Sequence, residues 1–122
     1  MSDPLCRPYT FHLTPGQDSD IATGPEVLAD APAMSHLIAD KGYDSHAIVE
    51  AIERSGAKAV IPPRSCVKEP RETDFVLYAE RYRIERFFNK LKHYRAVATR
   101  YAKRARNFVS LIYLAASVLW MK

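Results

Sequence analysis

Hydrophobic and polar positions divide the chain into short apolar runs and longer segments with helical spacing. Apolar or β-branched runs, bounded by proline, glycine or an acid, predict strands over residues 8–15, 36–40 and 57–63. Helical spacing predicts a helix that is capped by Asp20 or Thr23 and ends at about residue 30, and further helices over residues 47–54, 74–93 and 102–120. This order of strands and helices predicts an α/β fold, in which helices cover a sheet and the C-terminal part is helical.

Local residue types mark the ends of several of these elements. Ser45 is a typical N-cap for the helix over residues 47–54, and Gly56 is a typical C-terminal stop for it. Pro25 is tolerated in the first turn of the first helix. The apolar run over residues 108–121 is shorter than the roughly 20 residues that span a bilayer, so it predicts a buried helix.

Charge is distributed unevenly over the 122 residues, whose net charge is +4. Residues 18–50 contain seven acids and one base, whereas residues 81–106 contain ten Lys or Arg and one acid, Glu85. Such a basic half favours a polyanionic partner, first nucleic acid and second an anionic membrane surface, and a solvated helix surface is the alternative. Two cysteines without the spacing of a disulfide framework or zinc site favour a reduced, cytosolic setting.

One face of the predicted helix over residues 74–93 concentrates candidate chemistry. At 100° per residue, a single stripe within about 60° contains Tyr78, Arg81, Glu85 and Lys92. A lone carboxylate among cations suits a metal ion held against a phosphate backbone. The alternative is an ordinary ion pair between Glu85 and Arg81, which lies four residues earlier.

Two further acids are candidates to converge with Glu85. Asp40 ends the predicted strand over residues 36–40, and Asp3 lies ahead of the first strand. Mg²⁺ prefers oxygen ligands, so two or three carboxylates from separate elements suffice to bind it. The alternative to metal binding is that Asp40 is an ordinary turn residue and that Asp3 is part of a mobile terminus. Asp44 and Ser45 resemble helix caps. The residues therefore predict a nucleic-acid-binding α/β domain with a candidate magnesium site.

The order of several segments resembles bacterial insertion-sequence transposases with an RNase-H-like DDE catalytic domain. The family signature Y-x2-R-x3-E-x6-K is met, with every spacing intact, by Tyr78, Arg81, Glu85 and Lys92. Three further blocks match in order: FHLTPGQDSD, LIADKGYDS and YRAVATRYAKRARNF. The resemblance covers nearly the whole chain.

The resemblance implies Mg²⁺-dependent DNA cleavage and strand transfer at transposon ends, by a catalytic domain over residues 1–122. Two Mg²⁺ ions, for which Mn²⁺ is a substitute, would be bound by the catalytic acids Asp3, Asp40 and Glu85. DNA contacts are implied for Tyr78, Arg81, Arg86, Lys90, Lys92, Arg95 and Arg100. The implied partners are transposon-end and target DNA, and no membrane partner is implied. The implied location is the bacterial cytoplasm, in association with the nucleoid.

The N-terminal part departs from the family pattern. Asp3 takes the first aspartate position by counting back from the T-P-G-Q segment, and Cys6 stands where glycine is usual. The family's first strand and DNA-binding region have no room before Asp3, so we expect an N-terminally truncated chain whose mixed sheet lacks most of that strand. A homodimer of the full-length protein, or a partner product from an upstream reading frame, fits this expectation. The alternatives are an inactive remnant that binds DNA through its basic helix, and another RNase-H-like nuclease.

Overall fold

The computed structural model describes residues 1–100 and 102–122, and only the backbone of Asp20. The described chain divides into two compact units. We call Thr14–Arg81 the central unit, and Met1–Leu13 together with Tyr82–Lys122 the terminal unit. Each unit has a hydrophobic core of its own.

The central unit is built around a β–α–β segment. Strands β1 (His36–Ile38) and β2 (Lys58–Val60) pair in parallel, with His36 opposite Lys58 and Ile38 opposite Val60. Helix α2 (His46–Arg54) lies between them in the chain, since parallel strands need a crossover connection. The other elements of this unit are α1 (Asp20–Ala29), a 3₁₀ turn (Lys41–Tyr43) and α3 (Phe75–Ala79).

The ends of α2 confirm the sequence signals. The Ser45 hydroxyl accepts the Ile48 N–H at 3.2 Å and so caps the first turn. Gly56 lies just past the helix at φ +85°, a conformation that glycine adopts without a Cβ penalty. The buried core of the unit contains Ile48, Val49, Ile52, Ala57 and Ile61.

The terminal unit packs the first residues of the chain against three helices. These helices are α4 (Tyr82–Lys92), α5 (Arg95–Ala98) and α6 (Ala105–Met121). The Trp120 indole N–H donates to the Pro8 carbonyl at 2.6 Å. The ring centroids of Phe11 and Tyr113 lie 4.6 Å apart. The buried core contains Cys6, Phe87, Leu91 and Ala115. Within the described residues, every helix is too short or too polar to cross a membrane.

The strand predicted over residues 8–15 is wrong. Within the described chain, this segment forms a single isolated antiparallel bridge, between Pro8 and Ser2. Pro8 has no N–H to continue a ladder, and the aromatic side chain of Phe11 packs on Tyr113 of α6 instead. Aromatic composition here supports packing against a helix rather than strand pairing.

The single helix predicted over residues 74–93 is also wrong, because the chain breaks between α3 and α4. The Glu80 N–H donates to the Leu77 carbonyl at 3.0 Å. The Arg81 N–H donates to the Tyr78 carbonyl at 2.9 Å. Such i→i−3 hydrogen bonds tighten and end a helical turn. Tyr78 and Glu85 therefore belong to different helices.

Two other helix starts differ from the prediction. The last helix begins at Ala105 rather than at residue 102. The first begins at Asp20, so Thr23 lies within the helix and Pro25 in its interior rather than its first turn. The cap predicted for the Asp20 side chain lies outside the described residues. The α/β class with a helical C-terminal part is confirmed, with a two-stranded parallel sheet in the described chain.

Candidate functional site

Asp40 lies just beyond β1, where it begins the 3₁₀ turn. Its Oδ1 accepts the Gly42 N–H at 2.8 Å, and the residue is exposed. Its Oδ2 accepts no hydrogen bond from residues 1–100 or 102–122. One oxygen therefore orients the carboxylate while the other is open to a cation.

Gly42 permits this orientation, because a Cβ there would lie 2.8 Å from Asp40 Oδ1. We expect Gly42→Ala to rotate the Asp40 carboxylate out of its hydrogen bond, at a cost of about 1 kcal/mol. In the unsubstituted protein, the amide-proton shift of residue 42 should respond only weakly to temperature in NMR spectra, because this N–H is hydrogen-bonded to Asp40. The response should become stronger in the variant. Gly16→Ala is the control, because no atom lies within 4 Å of its added Cβ. An unchanged response in Gly42→Ala would contradict the assignment.

Asp44 is a buried carboxylate that joins the loop after β2 to the turn containing Asp40. Its Oδ2 accepts the Arg64 N–H at 2.7 Å, and its Oδ1 accepts a guanidinium N–H of Arg71 at 2.5 Å. The Arg64 guanidinium in turn donates to the Gly42 carbonyl at 2.9 Å. Both arginines therefore hold the turn that orients Asp40.

Burial alone would raise the pKa of Asp44, but the Arg64 amide and the Arg71 guanidinium hold that pKa below its ordinary value. The sequence indicated only a cap at this position. The two partners lie 20 and 27 residues away, in a loop without periodicity. The nearby turn that begins at Asp40 indicates a site in this region, but it does not identify Arg64 and Arg71 as the partners of Asp44.

The Asp3 carboxylate is already fully hydrogen-bonded. Its Oδ1 accepts the backbone N–H groups of Leu5 and Arg7, each at 2.9 Å. Its Oδ2 accepts from Arg7 Nε at 2.7 Å and Arg7 Nη2 at 2.6 Å. Burial opposes ionisation, yet these bonds lower the pKa of Asp3 below its ordinary value. Since a carboxylate offers about four lone-pair sites, Asp3 can bind a metal only after Arg7 releases it.

Glu85 and Lys92 lie on one exposed stripe of α4. Seven residues make nearly two helical turns, so the two positions are about 10 Å apart along the axis. Tyr78 precedes the break and Arg81 lies within it, and the Arg81 guanidinium lies 5.9 Å from the Tyr78 ring centroid. The predicted four-residue stripe is therefore continuous only for its second half.

The terminal unit exposes a series of basic side chains along α4, α5 and the following segment. The exposed members with a predicted DNA contact are Arg86, Lys90, Lys92, Arg95 and Arg100. The Arg86 guanidinium lies 5.9 Å from the Tyr82 ring, and that of Arg100 lies 5.4 Å from the Phe108 ring. Planar cations on aromatic rings can bind phosphate with their edges.

The three predicted metal ligands differ in how well they suit a metal. Asp40 belongs to the central unit, whereas Asp3 and Glu85 belong to the terminal unit. In the described part of the chain, no group of three or more His, Cys, Asp or Glu side chains is arranged to hold a metal ion. Asp40 and Glu85 are exposed oxygen donors of the kind that Mg²⁺ prefers. Asp3 does not fit while Arg7 occupies its oxygens.

Comparisons with known proteins point to one family. Residues 2–120 match the family model described as transposase DDE domain. The chain is 35% identical over 125 residues to a Brucella ovis protein named "Putative transposase for insertion sequence element IS6501". That alignment covers 98% of this chain and 93% of the relative. No solved structure matches the chain significantly.

Proposed function

Because the chain belongs to the transposase DDE-domain family, we propose that it cleaves and transfers DNA strands at the ends of an insertion sequence. The proposal rests above all on Asp40, whose carboxylate is held by Gly42 with one oxygen open. In parallel sheets, functional groups gather beyond the carboxyl ends of the strands, where Asp40 lies. We further propose that residues 1–122 form one catalytic domain of RNase-H-like fold.

Members of the family generally use a divalent metal, and we propose Mg²⁺, held by Asp40 and Glu85. Of the two ions expected, one would activate the attacking oxygen and the other would stabilise the leaving oxygen of a phosphodiester. The N–H of Gly42 aims the Asp40 carboxylate, and the arginines bound to Asp44 keep that turn in place. Asp3 would become a third ligand on release from Arg7.

We propose that the basic residues of the terminal unit bind the DNA backbone. Arg86 and Lys92 are exposed on α4, where Arg86 directly follows Glu85 and Lys92 lies nearly two turns beyond it. Arginine offers a two-pronged donor to a phosphate, and lysine offers a point charge. Tyr78 and Arg81 would support the same DNA from the end of the central unit.

The salt dependence of the affinity for DNA measures how much these basic residues contribute to binding. With about four to six phosphate contacts, the affinity for duplex DNA should fall about 10²–10³-fold between 50 and 200 mM salt. The double variant Arg86→Ala, Lys92→Ala should bind more weakly, and its slope of log affinity against log salt should decrease by about two. Lys68→Ala, in the exposed loop after β2, is the matched control and should leave the slope unchanged. Equal slopes in all three proteins would exclude these residues from the interface.

A strand-cleavage assay tests the enzymatic proposal. The purified chain is incubated with insertion-sequence end DNA and Mg²⁺, with Mn²⁺ and EDTA in parallel. The proposal expects metal-dependent nicks at the element boundary and joining to target DNA. Nicks without a preference for the boundary would instead indicate a general RNase-H-like nuclease.

The occupied oxygens of Asp3 favour a second candidate function, a protein that binds DNA without cutting it. The second function predicts salt-sensitive DNA binding in EDTA and no metal-dependent product. Only the metal-dependent cleavage product distinguishes the two functions, since both use the same basic residues to bind DNA.

A further inference from the structure

A cavity of about 620 Å³ opens in the terminal unit, between the first residues of the chain and the ends of α4 and α6. Its polar and aromatic lining comprises Arg7, Lys90, Lys122, His93, Tyr94 and Trp120. None of its lining residues is acidic, and neither Asp40 nor Glu85 is among them. The volume falls in the range of sites that bind small organic ligands.

Trp120 is fixed as a platform at this cavity. Its indole N–H donates to the Pro8 carbonyl at 2.6 Å, and the Arg7 guanidinium lies 4.2 Å from the ring centroid. The residue nevertheless remains 45% exposed. Because the Arg7 guanidinium covers one face of the ring, a stacked base would use the exposed part that remains, and it would meet a side chain that is already ordered.

Arg7 is fixed in turn by Asp3. Both Nε and Nη2 of Arg7 bind Asp3 Oδ2, at 2.7 and 2.6 Å. The fork of hydrogen bonds sets the plane of the guanidinium above Trp120. Asp3 therefore organises the cavity in the present arrangement, a role distinct from the metal binding implied by its sequence position.

We propose that this cavity binds an unpaired nucleotide of single-stranded DNA. The base would stack on Trp120 and Tyr94, and the flanking phosphates would pair with Lys90 and Lys122. Aromatic side chains in a basic groove bind single strands because every base offers a π-face, whereas the bases of a duplex are already stacked. The inference rests on DNA being the partner proposed above, but it requires neither metal nor cleavage.

Trp120 is the sole tryptophan of the chain, so its fluorescence reports directly on the cavity. The full chain is titrated in EDTA with a short oligothymidylate, with an abasic oligomer of equal length and charge, and with duplex DNA. We expect the oligothymidylate to quench the fluorescence and to bind about tenfold more tightly than the abasic oligomer. Equal affinities would show that charge alone is recognised and would overturn the proposal, as would preferential quenching by the duplex.

Substitutions of lining residues test whether the oligothymidylate binds in this cavity. Tyr94→Leu and Lys122→Ala should each weaken oligothymidylate binding about fivefold, while Tyr94→Phe keeps the ring and should bind normally. Lys103→Ala, an exposed cation that does not line the cavity, is the charge control. Fluorescence anisotropy of a labelled oligomer measures all four, and circular dichroism confirms the fold. If Lys103→Ala and Lys122→Ala have equal effects, the site lies elsewhere.

Discussion

Replacing Asp40 by asparagine is expected to lower metal-dependent strand cleavage about 10³-fold, since metal coordination supplies several kcal/mol and each 1.4 kcal/mol is a factor of ten. The amide oxygen of asparagine can still accept the Gly42 N–H. The turn should therefore keep its geometry, and the affinity for DNA in EDTA should change less than twofold. The substitution removes the charge and leaves the fold.

The measurement is a single-turnover assay on insertion-sequence end DNA. Glu85→Gln should show a loss of similar size, because both acids are proposed to serve one function. Asp18→Asn, an exposed acid in the central unit, is the control and should cleave normally. Cleavage by Asp40→Asn within threefold of the unsubstituted protein would remove Asp40 from the catalytic site.

Replacing Asp44 by alanine is expected to lower the free energy of unfolding by about 2–4 kcal/mol. The substitution leaves the Arg64 N–H without its acceptor and the Arg71 guanidinium without its counter-charge. Urea unfolding at pH 7, followed by circular dichroism, measures the difference. Asp18→Asn should unfold like the unsubstituted chain.

The difference in unfolding free energy between the unsubstituted protein and Asp44→Ala depends on pH in a definite direction. Since folding lowers the pKa of Asp44, its contribution is fully present above the unfolded pKa, about 3.9. It is lost as the pH falls from that value through the folded pKa. The stability gap between the unsubstituted protein and Asp44→Ala should therefore be constant between pH 5 and 7 and shrink below about pH 4. A gap below 0.5 kcal/mol at pH 7 would contradict this role of the buried carboxylate.

The β–α–β segment could be predicted from the sequence because its signals are local. Ser45 caps α2, Gly56 adopts the left-handed conformation after it, and Ile48 and Ile52 share a buried face. Each of these features depends on residues within a few positions of one another. The position of Asp40 at the end of β1 follows from the same local pattern.

Features that depend on distant contacts could not be predicted. The break at Glu80 and Arg81 contains neither glycine nor proline, so helical spacing continues through it. Residues 8–15 have strand composition, yet their aromatic side chain Phe11 finds its partner on α6. Asp44 joins arginines from a loop of irregular sequence, and its importance is visible only in three dimensions.

The position of Asp3 shows a related limit. Counting along a family motif assigns it to a metal, whereas its oxygens are occupied by Arg7 and two backbone N–H groups. A motif identifies residue type and spacing but not hydrogen-bond partners. The proposed third ligand therefore depends on a rearrangement around Arg7 that spacing does not reveal.

Iron-directed cleavage of the polypeptide tests most directly whether Asp40 and Glu85 hold one metal ion. Fe²⁺ replaces Mg²⁺ in the presence of end DNA, and ascorbate with peroxide generates radicals that cut the chain near the bound ion. We predict cuts close to both Asp40 and Glu85, both abolished by Mg²⁺ competition and by Asp40→Asn. Cuts at neither segment, or cuts near Glu85 that persist in Asp40→Asn, would contradict a shared metal site.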